Sequence, residues 1–188
     1  MKKLLLFAVL SLSVSALAAD KYLVDPAHAS VVFKIHHMGF SNVYGMFGDV
    51  SGDFNLDETN PDKSTMNIVI KTDSVDTKNE KRNEHLKKAD FFDAKLYPTI
   101  TFKSTSFKKL ADKKYEVKGN LTLHGKTNPV TMELTRFNTG EDPMKKIHTG
   151  GETKLSIKRS QYGMNFMVGP DKVSDDVEIW ISLEGVKS

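Results

Sequence analysis

Apolar and polar residues alternate with a period of two along most of the chain beyond its first twenty or so residues. Successive side chains of a β-strand point to opposite faces, so this alternation predicts strands with one buried face. Val31, Phe33 and Ile35 share a face of Ser30–His37, and Met66, Ile68 and Ile70 share a face of Ser64–Lys71. Ile100 and Phe102 mark Thr99–Ser106, Val117, Leu121 and Leu123 mark Tyr115–His124, and Val130, Met132 and Leu134 mark Pro129–Phe137. Leu155 and Ile157 mark Glu152–Lys158, and Val177, Ile179, Ile181 and Leu183 alternate with Glu178, Trp180, Ser182 and Glu184. Turn residues fall between these runs. His124-Gly125-Lys126-Thr127 reads as a tight hairpin, Asn60-Pro61-Asp62 as a turn, and Thr139–Pro143 as another. Gly45, Gly48 and Gly52 interrupt a long second strand, Val43–Leu56, and predict bulges or bends at a barrel corner.

One segment breaks the alternation. Asn79–Phe92 is rich in helix formers and charge, with Leu86, Ala89 and Phe92 at helical spacing. It predicts one short helix followed by an aromatic plug, Phe91-Phe92. The set is mainly β: an antiparallel barrel of about eight strands with one short helix, a two-sheet sandwich being the competing arrangement. An eight-stranded barrel is just wide enough to be filled by side chains or to hold one small ligand. Function therefore turns on what fills it.

The chain begins with Lys2-Lys3 ahead of an apolar run, Leu4–Leu17, and the small residues Ala16-Leu17-Ala18. This is the pattern of a cleaved secretory signal peptide over residues 1–18, leaving a single exported domain over 19–188. The run is shorter than the ~20 apolar residues of a membrane span. There is no cysteine, which excludes a lipid-anchored amino terminus, disulfides and thiolate chemistry. The net charge of +3 owes two units to the leader, so the remaining surface is nearly neutral and nucleic acid is not an expected partner.

Enzyme chemistry finds little support. There is no Gly-x-Ser-x-Gly elbow, no phosphate-binding loop and no dinucleotide fingerprint. No His-x-His or His-x-x-x-His spacing exists, and His36 and His37 point to opposite faces of one strand, so a metal site would need convergence of distant segments. The expectation is a non-enzyme with no cofactor and no metal. A hydrolase or isomerase acting on a lipid, and a ligand-free structural or stress-response barrel, are the alternatives.

Several segments taken in order resemble the YceI-like family. They are YLVDPAHAS at Tyr22–Ser30, FKIHHMGFSNVYGMF at Phe33–Phe47, SVDT at Ser74–Thr77 followed by Arg82 and His85-Leu86, and Asp90-Phe91-Phe92-Asp93. Tyr97–Ser104, GNLTLHGKT at Gly119–Thr127 and RSQYGM at Arg159–Met164 complete the set. The resemblance covers essentially the whole mature chain. It implies a periplasmic, lipocalin-like barrel, often a homodimer, that binds a polyisoprenoid or other long-chain amphiphile in an elongated apolar tunnel. One position departs from the family pattern: Gly151 stands where an aromatic usually follows a glycine.

The expected tunnel lining is Phe33, Ile35, Phe47, Phe91, Phe92, Phe102, Met164 and Phe166, since rings and flexible methionines suit varied apolar shapes. His28, His37, Arg159 and Asn165 are the expected partners of a polar head group, Arg159 as a bidentate grip on phosphate or carboxylate. The expected ligand is an isoprenoid-type lipid such as a quinone or prenyl phosphate, the expected role is transport or sequestration, and transient contact with a membrane surface through the charged helix is a further expectation.

Overall fold

The computed structural model describes residues 19–188, and the segment expected to be a signal peptide, residues 1–18, lies outside them. β1 (Asp20–Val24) and β2 (Ser30–His37) are one long strand interrupted by a 3-10 turn at Pro26–His28. β3 (Ser41–Phe47) and β4 (Val50–Leu56) form a second, broken at Gly48-Asp49. β5 (Thr65–Lys71) and the short β6 (Val75–Asp76) follow, then α1 (Glu80–Leu86). The chain ends in the long strands β7 (Thr99–Ala111), β8 (Lys114–Leu123) and β9 (Lys126–Arg136), the short β10 (Gly140–Glu141), and β11 (Ile147–Lys158) and β12 (Val173–Lys187).

Pairing is antiparallel throughout. β2 pairs with β3 and β1 with β4, then β4 with β5, β5 with β7, β7 with β8, β8 with β9, β9 with β11 and β11 with β12. β12 returns to β2 through Val173–Ser182 and to β1 through Gly185–Lys187. Counting the two interrupted strands once each, this is a closed eight-stranded up-and-down barrel, with one stretch, between β9 and β11, where the ladder is unpaired.

The local reasons are legible. His124 and Gly125 both have positive φ (50° and 70°), the two-residue hairpin geometry that follows strand twist. Pro129 lies inside β9, where it lacks an N–H, but β9 pairs with β11 only from Glu133 onward, so no ladder bond is lost on that side. The 3-10 turn Arg159–Tyr162 lies against this open stretch, with Asn128 Nδ2 donating to the Gln161 carbonyl at 3.2 Å. Gly48 and Gly52 sit at the strand break and at a positive φ of 140°, as a bend requires. Gly45 serves another purpose: it faces Phe33 across the β2–β3 ladder, and any side chain there would overlap the Phe33 ring. Gly119 beside Phe102 repeats the device. α1 is shorter than its charge pattern predicts: Asn79 caps it by accepting from the Arg82 amide at 3.0 Å, and it ends at Leu86.

Candidate functional site

The inner faces of the strands enclose a cavity of about 370 Å³. Val31, Phe33 and Ile35 of β2 line it, as do Ile68 and Ile70 of β5, Ile100 and Phe102 of β7, and Val177, Ile179, Ile181 and Leu183 of β12. Lining from Val173 to Leu183 runs roughly 33 Å along the strand, or about 25 Å along the axis of a barrel tilted as usual. Ile179 and Ile181 pack against the core and are only partly buried because they also border this cavity. On the outer face of β12, Trp180 lies under the ammonium groups of Lys34 and Lys154, and Glu178 pairs with both.

At one end the cavity is framed by β2, α1 and the 163–172 loop. His85, Phe91 and Phe166 meet edge to face there, with ring centroids 5.0 to 5.5 Å apart. Phe92 turns inward instead and packs edge-on against Phe47 at 5.5 Å, which in turn lies 5.8 Å from Phe33. All eight residues expected as apolar lining border the cavity. The aromatic plug divides its labour: Phe92 joins the core and Phe91 closes the mouth.

The expected polar partners scatter. His37 lines the mouth and is half-buried. Arg159 also borders the cavity, yet its guanidinium is not available to grip a head group. Its Nε donates to the Ser174 carbonyl, its Nη1 to those of Met164 and Phe166, and its Nη2 to that of Val173, at 2.8 to 3.1 Å. It is 2% exposed, and burial pushes its pKa down. Arg159 is thus the staple that holds the 163–174 segment, and with it Phe166, over the mouth. Asn165 is exposed and borders no part of the cavity; its carbonyl accepts from the Val168 amide within the same loop. His28 is also outside, in the 3-10 turn between β1 and β2, with a side chain 63% exposed. Its Nδ1 lies 2.8 Å from Asp25, whose hydrogen bond raises the His28 pKa, and 4.0 Å from Glu184.

Asp25, His28 and Glu184 bring three potential ligand atoms within 4.8 Å of one another. His148 adds to this network, with Nδ1 2.7 Å from Glu184 and Nε2 3.1 Å from Asp142. This convergence of β11, β12 and two turns lies on the outer face and closes on its own hydrogen bonds; none of its members borders the cavity.

Four polar side chains at the cavity escaped the sequence reading: His85 and Thr153, and the two cations Arg82 and Arg136. Arg82 reaches the mouth from α1, but its Nε and Nη2 donate to the Thr77 hydroxyl and carbonyl at 2.8 and 2.7 Å. The same Thr77 hydroxyl and its amide donate to buried Asn83 Oδ1, and Asn83 Nδ2 donates to Asp76. Arg136 lies at the opposite end, bordering the cavity beside Leu134, Gly150 and Gly151. Its signal was present: Val130, Met132, Leu134 and Arg136 share one parity, so the inward face of β9 ends in a cation. Gly151 pairs directly with Arg136 in the ladder, and a side chain there would run into the Thr135 carbonyl. The missing ring thus reflects close approach of β9 and β11.

A family model described as the YceI-like domain matches residues 22–185. Protein YceI of Salmonella agona (strain SL483) is 41% identical over 192 aligned residues, covering 100% of this chain and 99% of that protein. Among solved structures, Burkholderia cenocepacia BcnA superposes with a TM-score of 0.76 at 28% identity, over 86% of this chain and 98% of that one. A domain from Saccharophagus degradans described as polyisoprenoid-binding shares the fold with a TM-score of 0.66 at 17% identity, over 90% of this chain and 99% of that one.

Proposed function

The chain belongs to the YceI-like family, and on that premise we propose that it is a periplasmic binding protein for a long-chain, isoprenoid-type lipid, which it carries or sequesters rather than transforms. The observation that carries this reading is the continuous apolar cavity of about 370 Å³, with a volume in the range of small-molecule sites. The description of the Saccharophagus degradans domain as polyisoprenoid-binding supports the same class of ligand. Catalysis needs free acids, bases or nucleophiles in reach of a substrate. Here Arg159 and Arg82 at the cavity are engaged with the chain's own backbone.

A lipid leaving a bilayer for this cavity exchanges one apolar environment for another, so burial at ~0.8 kcal/mol per CH₂ largely cancels. Selectivity then rests on cavity shape and the few polar contacts. Exchange takes place at the aromatic mouth, where Phe40 on the adjacent β2–β3 turn is 85% exposed and Met38 is tied to the Lys172 carbonyl. These exposed apolar tips suit brief contact with a membrane surface, and the family resemblance supports a homodimer.

Native mass spectrometry of the exported protein, followed by solvent extraction, tests the reading. One stoichiometric amphiphile is expected, retained less well by Phe33→Leu and Phe102→Leu, which reshape the cavity at modest cost in stability. Protein that emerges empty and refuses quinones, prenyl phosphates and fatty amides overturns it.

A further inference from the structure

We propose that Asp25, His28, His148 and Glu184 form a binding site for a divalent transition-metal ion of the zinc type on the outer wall of the barrel, and that Asp142 orients His148 for it. None of the five residues borders the cavity, so the site is separate from whatever fills the barrel. The fold supplies the convergence of distant segments that a metal site in this chain requires. Asp25 caps the 3-10 turn between β1 and β2, and His28 ends it. Asp142 lies in the turn after β10, and His148 and Glu184 stand on the adjacent strands β11 and β12.

The hydrogen bonds of this group do not balance with neutral imidazoles. Asp142 Oδ1 accepts from the Lys146 and Met144 amides at 2.9 and 2.8 Å, which holds its carboxyl below the usual range. Its Oδ2 lies 3.1 Å from His148 Nε2. An ionised carboxylate only accepts, so Nε2 carries the ring proton. Nδ1 then turns its lone pair toward Glu184 Oε1, a second acceptor 2.7 Å away. Two acceptors at that distance need a proton or a cation between them. Among the described residues no lysine or arginine pairs with Asp25, Asp142 or Glu184, whose ion-pair partners are the two imidazoles alone. Three carboxylates and two imidazoles thus share a site without a fixed positive charge.

The spacing suits one ion. Asp25, His28 and Glu184 each bring a ligand atom within 4.8 Å of the other two. Neighbouring ligand atoms are 2.8 Å apart from Asp25 to His28, 4.0 Å from His28 to Glu184 and 2.7 Å from Glu184 to His148. Tetrahedral zinc, with bonds of about 2.0–2.1 Å, spaces its ligands by roughly 3.3 Å. The ion therefore opens the two short pairs and draws the long one in. The bond from His148 Nε2 to Asp142 is the one that ordinarily orients a ligating imidazole. Two nitrogens with two carboxylate oxygens favour zinc or copper over magnesium and calcium, which take oxygen ligands. An ion held here fastens the turn that interrupts the first long strand to β11 and β12.

The test titrates the full exported protein, made without a histidine tag and stripped with a chelator, with zinc ions in a calorimeter at neutral pH. One ion per chain is expected, with a rise in melting temperature by mass action and no comparable response to magnesium or calcium. Cobalt(II) should occupy the same site and show the visible absorption of a four-coordinate ion. Asp142→Asn should weaken zinc binding about 10–100-fold and switch the His148 tautomer, read from its ring-nitrogen resonances. His28→Ala and His148→Ala should weaken it further than Asp142→Asn does. The His28 side chain is 63% exposed, so that variant should melt like wild type in the absence of zinc. No saturable zinc binding, or binding that survives both histidine variants, overturns the site. An equal response to magnesium overturns the class of ion, and an Asp142→Asn variant with unchanged affinity and tautomer overturns the role of Asp142.

Discussion

The two ends of the barrel are built by different means. At the mouth, irregular segments are pinned by single side chains: Arg159 holds the 163–174 segment, and Asp76 with Asn83 holds the start of α1. The rings that meet there come from α1, the turn after it and the 163–172 loop, none of which belongs to the sheet. At the Arg136 end the lining belongs to the strand ladder itself, where β9, β11 and β12 pair residue for residue around Gly150 and Gly151. A segment held by a few hydrogen bonds opens locally, whereas a ladder opens only with the sheet. The comparison sets a mouth whose segments can open locally against an opposite end held by the sheet itself.

The most damaging way to break this arrangement is Arg159→Met. Four backbone carbonyls lose their donor in a site where the side chain is 2% exposed. The cost should be about 3–5 kcal/mol, that of disrupting a buried polar network. For a domain of this size that lowers the melting temperature by on the order of 10 °C in a thermal scan. A drop of a degree or two would mean that Arg159 is a replaceable surface cation. Binding measured well below the melting temperature should persist, because the strand-borne wall of the cavity is untouched.

A gentler break removes the rings. Phe91→Ala with Phe166→Ala deletes the edge-to-face contacts of the mouth, each worth ~0.5–1.5 kcal/mol, while Phe47, Phe33 and Phe92 remain in the core. Stopped-flow release of a bound isoprenoid quinone should quicken about tenfold, a change of ~1.4 kcal/mol in the barrier. Unchanged release would place the exit elsewhere.

The same contrast explains what could be read from the sequence. The wall was legible because inward positions alternate within each strand, the exception being β7, where a bulge between Ser104 and Ser106 turns Phe107 inward after Ile100 and Phe102. The same rule reaches Arg136 two residues past Leu134, and a polar residue ending an apolar face is the signal that was passed over. The mouth was legible only as composition. Arg159 looked like a ligand grip because its partners are carbonyls of the 163–172 loop and of the first two residues of β12, and carbonyls carry no residue identity. His28 lies in a 3-10 turn, where strand parity says nothing about facing. Gly45 and Gly52 look alike in sequence, yet one makes room for a ring and the other bends a strand.

The smallest effect concerns the pins of the mouth and appears only in acid. Asp76 accepts from the Lys78 amide and from Asn83 Nδ2, and these bonds, with the nearby Lys78 ammonium, bring its pKa down to about 2. A carboxyl depressed in the folded state contributes its full stabilisation above its unfolded value of roughly 3.9. That contribution declines as pH falls below this value and is gone once pH has passed through the folded pKa of about 2. Asp76→Asn removes the titration. The difference between wild type and variant, read as hydrogen-exchange protection of the α1 amides, should be constant near neutrality and shrink steadily between pH ~4 and ~2. Amides of β9 near Arg136 should show no such difference, because the sheet ladder holds them without Asp76. If the difference appears equally at both ends, the mouth and the ladder unfold as one unit, and exchange of ligand requires the whole barrel to open.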